Sequence, residues 1–320
     1  MRPAKVWQLD IWPAEKAVIS IALVVGAVDL IQIAYRGIEV DWSGYGVVFG
    51  VALVAFAAGQ CYRRSGRSAR LGAALTCTSI MILFTASMSV FNYLLMPIER
   101  PMIDELLVRV DALFGYHWPD MVAFGAEHPI FNAVTRYAYM STMPQLALLV
   151  VVLGLSGQVR ALHVLLVCLA ITATMVVAFW GVFPSHGPSA LFTLPEDVQR
   201  AADPVVGTSY GRELVRMAQE GPSLLSPSEV KGLIGFPSYH AALACLAVYC
   251  ARTIRWLFPV YIVVNLLILP GTLIHGGHHF VDVPAGIALF LIGVWLTEKT
   301  VDYQYKTGGR PAVLAQELGR

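Results

Sequence analysis

The stretch from Phe236 to Asp282 reads FPSYHAALACLAVYCARTIRWLFPVYIVVNLLILPGTLIHGGHHFVD. It begins and ends with a short histidine cluster, and the residues between the clusters are almost entirely apolar. The chain has eight histidines in 320 residues, and four of them lie between His240 and His279. In so hydrophobic a chain, imidazoles and a carboxylate at the ends of apolar helices indicate chemistry rather than packing.

The composition of the whole chain is that of a membrane protein. It is 57% hydrophobic and 13% charged, with a mean hydropathy of +0.65, whereas soluble domains carry about 25% charged residues. The net charge is +1, so the chain has no basic field and nucleic acid is not expected as a partner.

The apolar segments predict eight spans, because a bilayer core needs about 20 apolar residues per helix. We expect an all-α integral membrane fold with spans at residues 17–35, 45–61, 71–96, 130–156, 160–183, 238–257, 258–275 and 281–298. The fourth span is polar in its first half, which contains Arg136, Tyr139 and Gln145. Such a segment is either a kinked but ordinary span or a helix that lines a wet cavity, and the sequence leaves both open.

Basic residues predict the orientation of the helices. Fourteen of the 22 lysines and arginines fall on the side of the N-terminus: Arg2, Lys5, Lys16, Arg63, Arg64, Arg67, Arg70, Arg160, Arg252, Arg255, Lys299, Lys306, Arg310 and Arg320. Since basic short loops remain in the cytoplasm, we expect both termini to be cytoplasmic and both histidine clusters to be extracytoplasmic.

Two long loops fall on the extracytoplasmic side. The first runs from Met96 to Pro129, and its segment Met102–Phe114 has the apolar periodicity of a helix that lies on the membrane surface. The second runs from Pro184 to Phe236. Loops of this length are usually functional or disordered, and we expect this one to be a cap or substrate-binding element.

The two clusters together favour phosphoryl transfer. His278 and Asp282 are four residues apart and share a face if they lie on a helix. A carboxylate that accepts a hydrogen bond from one imidazole nitrogen leaves the other nitrogen free as a nucleophile. His240 follows Pro237 at the start of a span, where free backbone N–H groups and Ser238 can hold a phosphate. His278 can then attack the phosphorus, giving a phosphohistidine, while His240 donates a proton.

Metal binding is the competing chemistry. His275, His278, His279 and Asp282 have donor atoms that suit zinc. This alternative leaves the Pro-Ser-Tyr-His segment at the other cluster unexplained.

The same residues resemble the type 2 phosphatidic acid phosphatase superfamily of membrane lipid phosphatases and phosphotransferases. Its second motif is Pro-Ser-x-His and its third contains His-x-x-x-Asp; the matching positions are Pro237, Ser238 and His240, then His278, Asp282 and the following Gly286. The resemblance implies a six-helix core at residues 71–298, preceded by two additional helices within residues 1–70 and followed by a cytoplasmic tail at 299–320.

The resemblance also implies the catalytic roles. His278 would be the nucleophile, Asp282 would orient it, and His240 would protonate the leaving alkoxide. No metal or other cofactor is required by this chemistry.

The chain departs from the family pattern where phosphate-binding cations are expected. The place of the first motif, Lys-x6-Arg-Pro, reads Phe183-Pro184-Ser185-His186-Gly187-Pro188, and the Ser-Arg pair of the third motif is replaced by Gly271 and Thr272. We therefore expect substrate contacts from other groups: Ser238, Tyr239, His186 if protonated, and Arg212, with Arg216 and Lys231 as further candidates.

These departures are similar to those of the inositol phosphorylceramide synthase branch, which moves a phospho-headgroup from one lipid to another. The stretch Asp111–Gln145 also resembles bacterial members of that branch. Our leading hypothesis is a phosphotransferase or phosphatase that acts on a membrane phospholipid donor, with a lipid or alcohol acceptor. The alternatives are a hydrolase of lipid phosphates or polyprenyl pyrophosphates and a non-enzymatic transporter. The sequence leaves the acceptor and the oligomeric state open.

Overall fold

The computed structural model describes residues 9–307, and these fold into helices joined by ordered loops. The helices are α1 Pro13–Arg36, α2 Trp42–Ser65, α3 Ala69–Leu94, α4 Asp104–Leu113, α5 Trp118–Glu127, α6 Pro129–Met140, α7 Thr142–Leu155, α8 Val159–Val182, α9 Glu196–Ala202, α10 Thr208–Glu220, α11 Tyr239–Ala251, α12 Phe258–His275 and α13 Asp282–Thr307. Within that range the structure has one isolated β-bridge and no strand. Arg2, Lys5, Arg310 and Arg320, which contributed to the orientation argument, lie outside the described residues.

Among the described residues, six helices are long and apolar enough to cross a membrane: α1, α2, α3, α8, α12 and α13. A seventh span is formed if α6 and α7, which are bent by 49° at Ser141, count as one. This confirms the predicted all-α integral membrane fold. The domain boundaries at residues 70 and 298 remain predictions, and α13 continues without a break across the second of them.

The sixth predicted span, at residues 238–257, is the one that differs. Its helix α11 has 13 residues, about 20 Å at 1.5 Å per residue, and the chain then turns before α12. Helix α11 packs against α7, α8, α12 and α13, and most of its side chains are buried. Because protein surrounds α11, its length does not have to match the bilayer.

Helix α4 forms where an amphipathic helix is expected, but its polar face is turned inward. Asp104 and Asp111 are each 3% exposed, while Leu106 and Leu113 are 54% and 83% exposed. Residues seven apart lie on one face of a helix, and here that face carries the two carboxylates into the protein. Carboxylates that are buried to this extent need hydrogen-bonding or charged partners.

The long loop between α8 and α11 is folded rather than open. It contains a short 3₁₀ turn at Pro188–Ala190 and the helices α9 and α10. Leu214 and Met217 of α10 belong to a buried cluster with Trp180 of α8 and with Leu225 of the loop itself. This loop therefore forms a packed cap over one end of the helical bundle.

The tip between α1 and α2 joins this cap. Val40 and Leu225 form a parallel bridge, and the N–H of Asp41 donates to the Leu225 carbonyl at 2.9 Å. The Ser226 hydroxyl donates to the Asp41 carboxylate, also at 2.9 Å. The Arg36 guanidinium bonds the last carbonyls of α3, which lack helical partners. The two N-terminal helices are thus anchored to the cap by polar contacts.

Candidate active site

His278 and Asp282 form the centre of the site. The Nδ1 atom of His278 lies 3.0 Å from Oδ2 of Asp282, and both side chains are buried. Asp282 is the first residue of α13, and His278 lies in the preceding loop rather than on the same helix. The predicted contact is present, but a turn makes it instead of a shared helical face. Because the carboxylate accepts a hydrogen bond from Nδ1–H, the free lone pair of His278 is on Nε2.

The start of α11 faces that lone pair. The Ser238 hydroxyl oxygen lies 3.4 Å from Nε2 of His278, and it accepts a hydrogen bond from the Ala241 N–H at 3.3 Å. The Ser238 proton is therefore available to the imidazole. The rings of His240 and His278 have centroids 6.3 Å apart at an angle of 68°. His240 lies in the first turn of α11, where the backbone N–H groups lack helical acceptors.

Tyr139 of α6 stacks on His240. The ring centroids are 4.5 Å apart with an interplanar angle of 29°, and Tyr139 is buried. Of the two alternatives for the polar fourth span, this contact favours a helix that lines the site. The bend at Ser141 leaves α6 inclined to α7, so the two halves of this span have different surroundings.

Glycines allow the segments of the site to approach closely. A Cβ atom at Gly286 of α13 would clash with the Ser238 carbonyl oxygen, and one at Gly187 would clash with the Gly277 carbonyl oxygen. Gly277 also has a φ of +60°, a conformation that side chains disfavour. The Ser238 N–H donates to the Asp282 backbone carbonyl at 3.0 Å, which ties the start of α11 to the start of α13.

A second imidazole, His279, lies between two carboxylates of α4. Its Nδ1 is 2.9 Å from Asp111 Oδ2, and its Nε2 is 3.6 Å from Asp104 Oδ1, an ion-pair distance beyond hydrogen-bond reach. Burial by itself would lower the pKa of His279, but the carboxylates of Asp104 and Asp111 raise that pKa to about 9. His279 is thus a buried imidazolium at neutral pH, and we refer to Asp104, His279 and Asp111 as the α4 clamp.

The α4 clamp also holds the backbone around His278. Asp111 accepts hydrogen bonds from the N–H groups of Phe280 and Val281 at 3.2 and 3.1 Å. The Tyr116 hydroxyl donates to the His278 carbonyl at 3.1 Å. The loop that carries His278 is therefore fixed from the side of α4 at three backbone positions.

Asp104 extends the clamp to the loop that stands in the place of the first family motif. It accepts from the Ser185 hydroxyl at 2.7 Å and from the N–H groups of His186 and Gly187 at 3.1 and 2.8 Å. Burial raises the pKa of Asp104, but these bonds and His279 lower it below its ordinary value overall. A carboxylate therefore organises this loop, where the family pattern has cations.

The sequence did not single out Asp104, Asp111, Tyr116 or Tyr139 as site residues, and it offered His279 only as a possible zinc ligand. One signal was available. Asp104 and Asp111 stand seven residues apart on one helical face, in a chain with few acidic residues.

The predicted substrate contacts are distributed unevenly. Ser238 lies at the site, whereas the Tyr239 hydroxyl donates to the Leu169 carbonyl of α8 at 3.1 Å and so serves helix packing. The His186 Nδ1–H donates to the Leu233 carbonyl at 3.2 Å. Burial lowers the pKa of His186, so this ring is neutral at pH 7 and supplies no positive charge. Its Nε2 is buried without a hydrogen-bond partner among the described residues.

The basic candidates lie on the cap. Arg212 is exposed on α10 and makes no hydrogen bond or ion pair with another residue of the described range. Arg216 is held by Glu213 and Glu220 at 2.7 and 2.9 Å. Lys231 lies over the ring of Tyr210, 6.0 Å from its centroid. Arg212 is therefore the cation of this group that is free to meet a substrate.

The four residues considered as zinc ligands have separate partners. Nε2 of His275 lies 3.1 Å from the Asn132 carbonyl oxygen in a fully buried environment. His278 faces Asp282, and His279 faces α4. Within residues 9–306 these four donors do not form a converging metal-ligand group.

One other group of donor atoms does converge, between α1, α3 and α8. It consists of Glu15, Cys77 and His163, all buried. The Glu15 carboxylate already binds the Arg63 guanidinium at 2.6 and 2.8 Å. We interpret this group as a buried ion pair, since the guanidinium occupies the position that a cation would take.

The chain is similar to a known protein family. A family model described as the PAP2 superfamily matches residues 105–296, three-fifths of the chain, and includes every proposed catalytic residue. No curated protein and no solved structure matches the chain.

Proposed function

Because the chain belongs to the PAP2 superfamily, and is therefore a membrane enzyme of the phosphatase and phosphotransferase type, we propose that it transfers the phosphorylated headgroup of a membrane phospholipid to a lipid or alcohol acceptor. The contact between His278 and Asp282, with Nε2 directed at the start of α11, carries this proposal. The non-enzymatic transporter considered from the sequence is set aside, because the family consists of enzymes.

In the first step Nε2 of His278 attacks the phosphorus of the donor. The phosphorus–oxygen bond to the lipid breaks, and the leaving alkoxide takes a proton from His240. A phosphate anion beside His240 favours the protonated ring that this step needs. Asp282 keeps Nδ1 protonated and offsets the positive charge of the phosphorylated imidazole.

In the second step an acceptor hydroxyl attacks the phosphohistidine. His240, now neutral, takes the hydroxyl proton, and the phosphorus–nitrogen bond breaks to restore His278. Water in place of the acceptor would make the enzyme a hydrolase, so both outcomes use the same residues.

The surroundings of the site favour a phosphodiester donor. Within residues 9–307 no lysine or arginine forms a hydrogen bond or ion pair with His240, His278 or Asp282. A diester carries one negative charge, whereas a phosphate monoester carries nearly two at neutral pH. This supports the resemblance of the chain to the inositol phosphorylceramide synthase branch. A hydrolase of lipid phosphates is the second candidate.

We further propose that the site is extracytoplasmic, with both termini cytoplasmic. The basic residues of the short loops support this orientation. In the described structure Arg63 lies near the C-terminal end of α2, Arg160 lies near the start of α8, and Arg252 directly follows α11.

The test is a transfer assay with purified full-length protein. Phosphatidylinositol radiolabelled in its headgroup phosphate is incubated with and without ceramide, and products are separated by chromatography. We expect a labelled lipid product that depends on the acceptor, and a protein-bound label that is labile to acid and stable to base. His278→Ala should lose both, while the exposed histidine variant His128→Ala should retain them. Labelled headgroup phosphate released without any acceptor product would assign the hydrolase instead.

A further inference from the structure

A pocket opens between α1, α2 and α3, away from the catalytic histidines. Its volume is about 320 Å³, within the range of small-molecule sites. Four of its lining residues are exposed apolar side chains at the surface of the helical bundle: Leu23, Leu30, Trp42 and Phe49. Since α1 and α2 are membrane-spanning helices, the pocket opens sideways into the lipid.

Three polar side chains face this otherwise apolar pocket. Asp29, Tyr45 and Ser87 line it and are 4%, 7% and 5% exposed. None of them makes a side-chain hydrogen bond to another residue of the described range, and Oδ1 of Asp29 is fully buried without a partner. A buried polar group without a partner destabilises the folded protein, and ionisable residues inside a membrane usually mark a functional site.

The chemistry of the three groups defines what would satisfy them. A carboxyl group and two hydroxyls complement a ligand group that both donates and accepts hydrogen bonds. No lysine or arginine lines the pocket, so a phosphate would meet Asp29 without a compensating cation. We propose that this pocket binds a membrane lipid whose polar head is a hydroxyl group, with its hydrocarbon chain along the apolar walls.

The position of the pocket separates it from the shared catalytic machinery. The family match begins at residue 105, whereas the pocket is lined by residues 22–90 together with Leu225. Val40 and Leu225 line the pocket and also form the bridge between the α1–α2 tip and the cap. A lipid in the pocket therefore contacts the joint between the N-terminal helices and the cap. The proposal does not depend on which reaction the catalytic site performs.

The test is photo-crosslinking of the full-length protein in nanodiscs. Two probes with a diazirine in the acyl chain are compared: a diacylglycerol and its O-methyl ether, which has the same chains but no donor. We expect peptides of α1–α3 to be labelled about fivefold or more strongly by the hydroxyl probe, the effect of losing a hydrogen bond to a buried polar group. Equal labelling by both probes would show an apolar crevice and overturn the proposal.

Variants of the polar side chains in the pocket test which residues recognise the hydroxyl group of the probe. Asp29→Leu and Ser87→Ala should reduce labelling by the hydroxyl probe towards that of the ether, while Thr85→Val, an exposed position on the same helix α3, should leave it unchanged. Undiminished labelling of Asp29→Leu would contradict the assignment. Displacement of the probe by a long-chain amine at lower concentration than by a long-chain alcohol would assign the site to an ammonium group and equally overturn it. The probe comparison in the wild-type protein needs no variant to fold.

Discussion

Protonation of His279 should make the stability of this enzyme depend on pH in the alkaline range. The pKa of His279 is about 9 in the folded protein, above its ordinary value of 6.5. The stabilisation is therefore complete below pH 6.5 and is lost as the pH rises through 9. A difference of about 2.5 pKa units corresponds to roughly 3 kcal/mol, and because the side chain is 1% exposed, solvent does not screen it appreciably.

The assay is thermal unfolding of the purified protein in detergent, followed by tryptophan fluorescence between pH 6 and pH 10. For a chain of this size, roughly 3 kcal/mol should lower the Tm by about 5 °C over that range. Other groups also titrate there, so the relevant quantity is the difference between the wild type and His279→Gln. The variant should have a lower Tm at pH 6.5 and a flatter profile.

Asp111→Asn provides an internal check on the cause. It removes one of the two carboxylates that raise the pKa of His279, so the midpoint of the pH dependence should move down from about 9 towards 6.5. His117→Gln, at an exposed histidine in the loop between α4 and α5, should follow the wild-type curve. Identical pH profiles for the wild type and His279→Gln would refute the reasoning.

The remaining predictions concern the reaction and the orientation. Asp282→Asn should lower kcat by about 10²–10⁴ with little change in KM, because the imidazole loses its tautomer control; an unchanged kcat in steady-state assays would contradict its positioning role. Tyr139→Leu should lower kcat several-fold and shift the pH optimum by removing the ring that stacks on His240, while Tyr139→Phe should retain both. Gly286→Ala should lower the Tm and the activity together, since its Cβ meets backbone of α11; wild-type values for both would rule out the close approach. A cysteine at Ser223 on the cap should react with a membrane-impermeant maleimide from the extracytoplasmic side, and labelling from the cytoplasm alone would reverse the topology.

The contact between His278 and Asp282 was accessible from the sequence because its information is local. His278 and Asp282 lie four residues apart, and their spacing brings them together whether the connecting segment is a helix or, as observed, a turn. The approach of His240 also followed from the sequence, since the order of apolar segments places the start of one span beside the start of another. Hydropathy and loop charge are sufficient for such an argument.

The α4 clamp was not accessible for the opposite reason. The contact between Asp111 and His279 joins residues 168 positions apart, and nothing in either local segment indicates the other. An amphipathic pattern shows that a helix has two faces, but it does not show which face is buried. At α4 the apolar face was expected to meet the membrane, which agrees with the exposure of Leu113, but the burial of the polar face depends on a partner elsewhere in the chain.

Helix α11 illustrates a third limit. Its segment is as apolar as a lipid-facing span, yet the helix ends at Ala251 and is enclosed by four other helices. Hydropathy measures the free energy of transferring a segment out of water. That free energy is similar whether the new surroundings are lipid or the protein interior. The length of an enclosed helix is therefore set by its neighbours, which the sequence of the segment does not contain.

The unequal exposure of His240 and His278 bears on how the enzyme chooses between acceptors. His278 is 4% exposed, whereas His240 is only partly buried. In the proposed mechanism His240 takes the proton of the incoming hydroxyl, so a water molecule and a lipid alcohol are deprotonated by the same ring. Chemical activation cannot distinguish them. The partition between transfer and hydrolysis then depends on how long each acceptor stays beside His240. A lipid held by its chains stays longer than a diffusing water molecule.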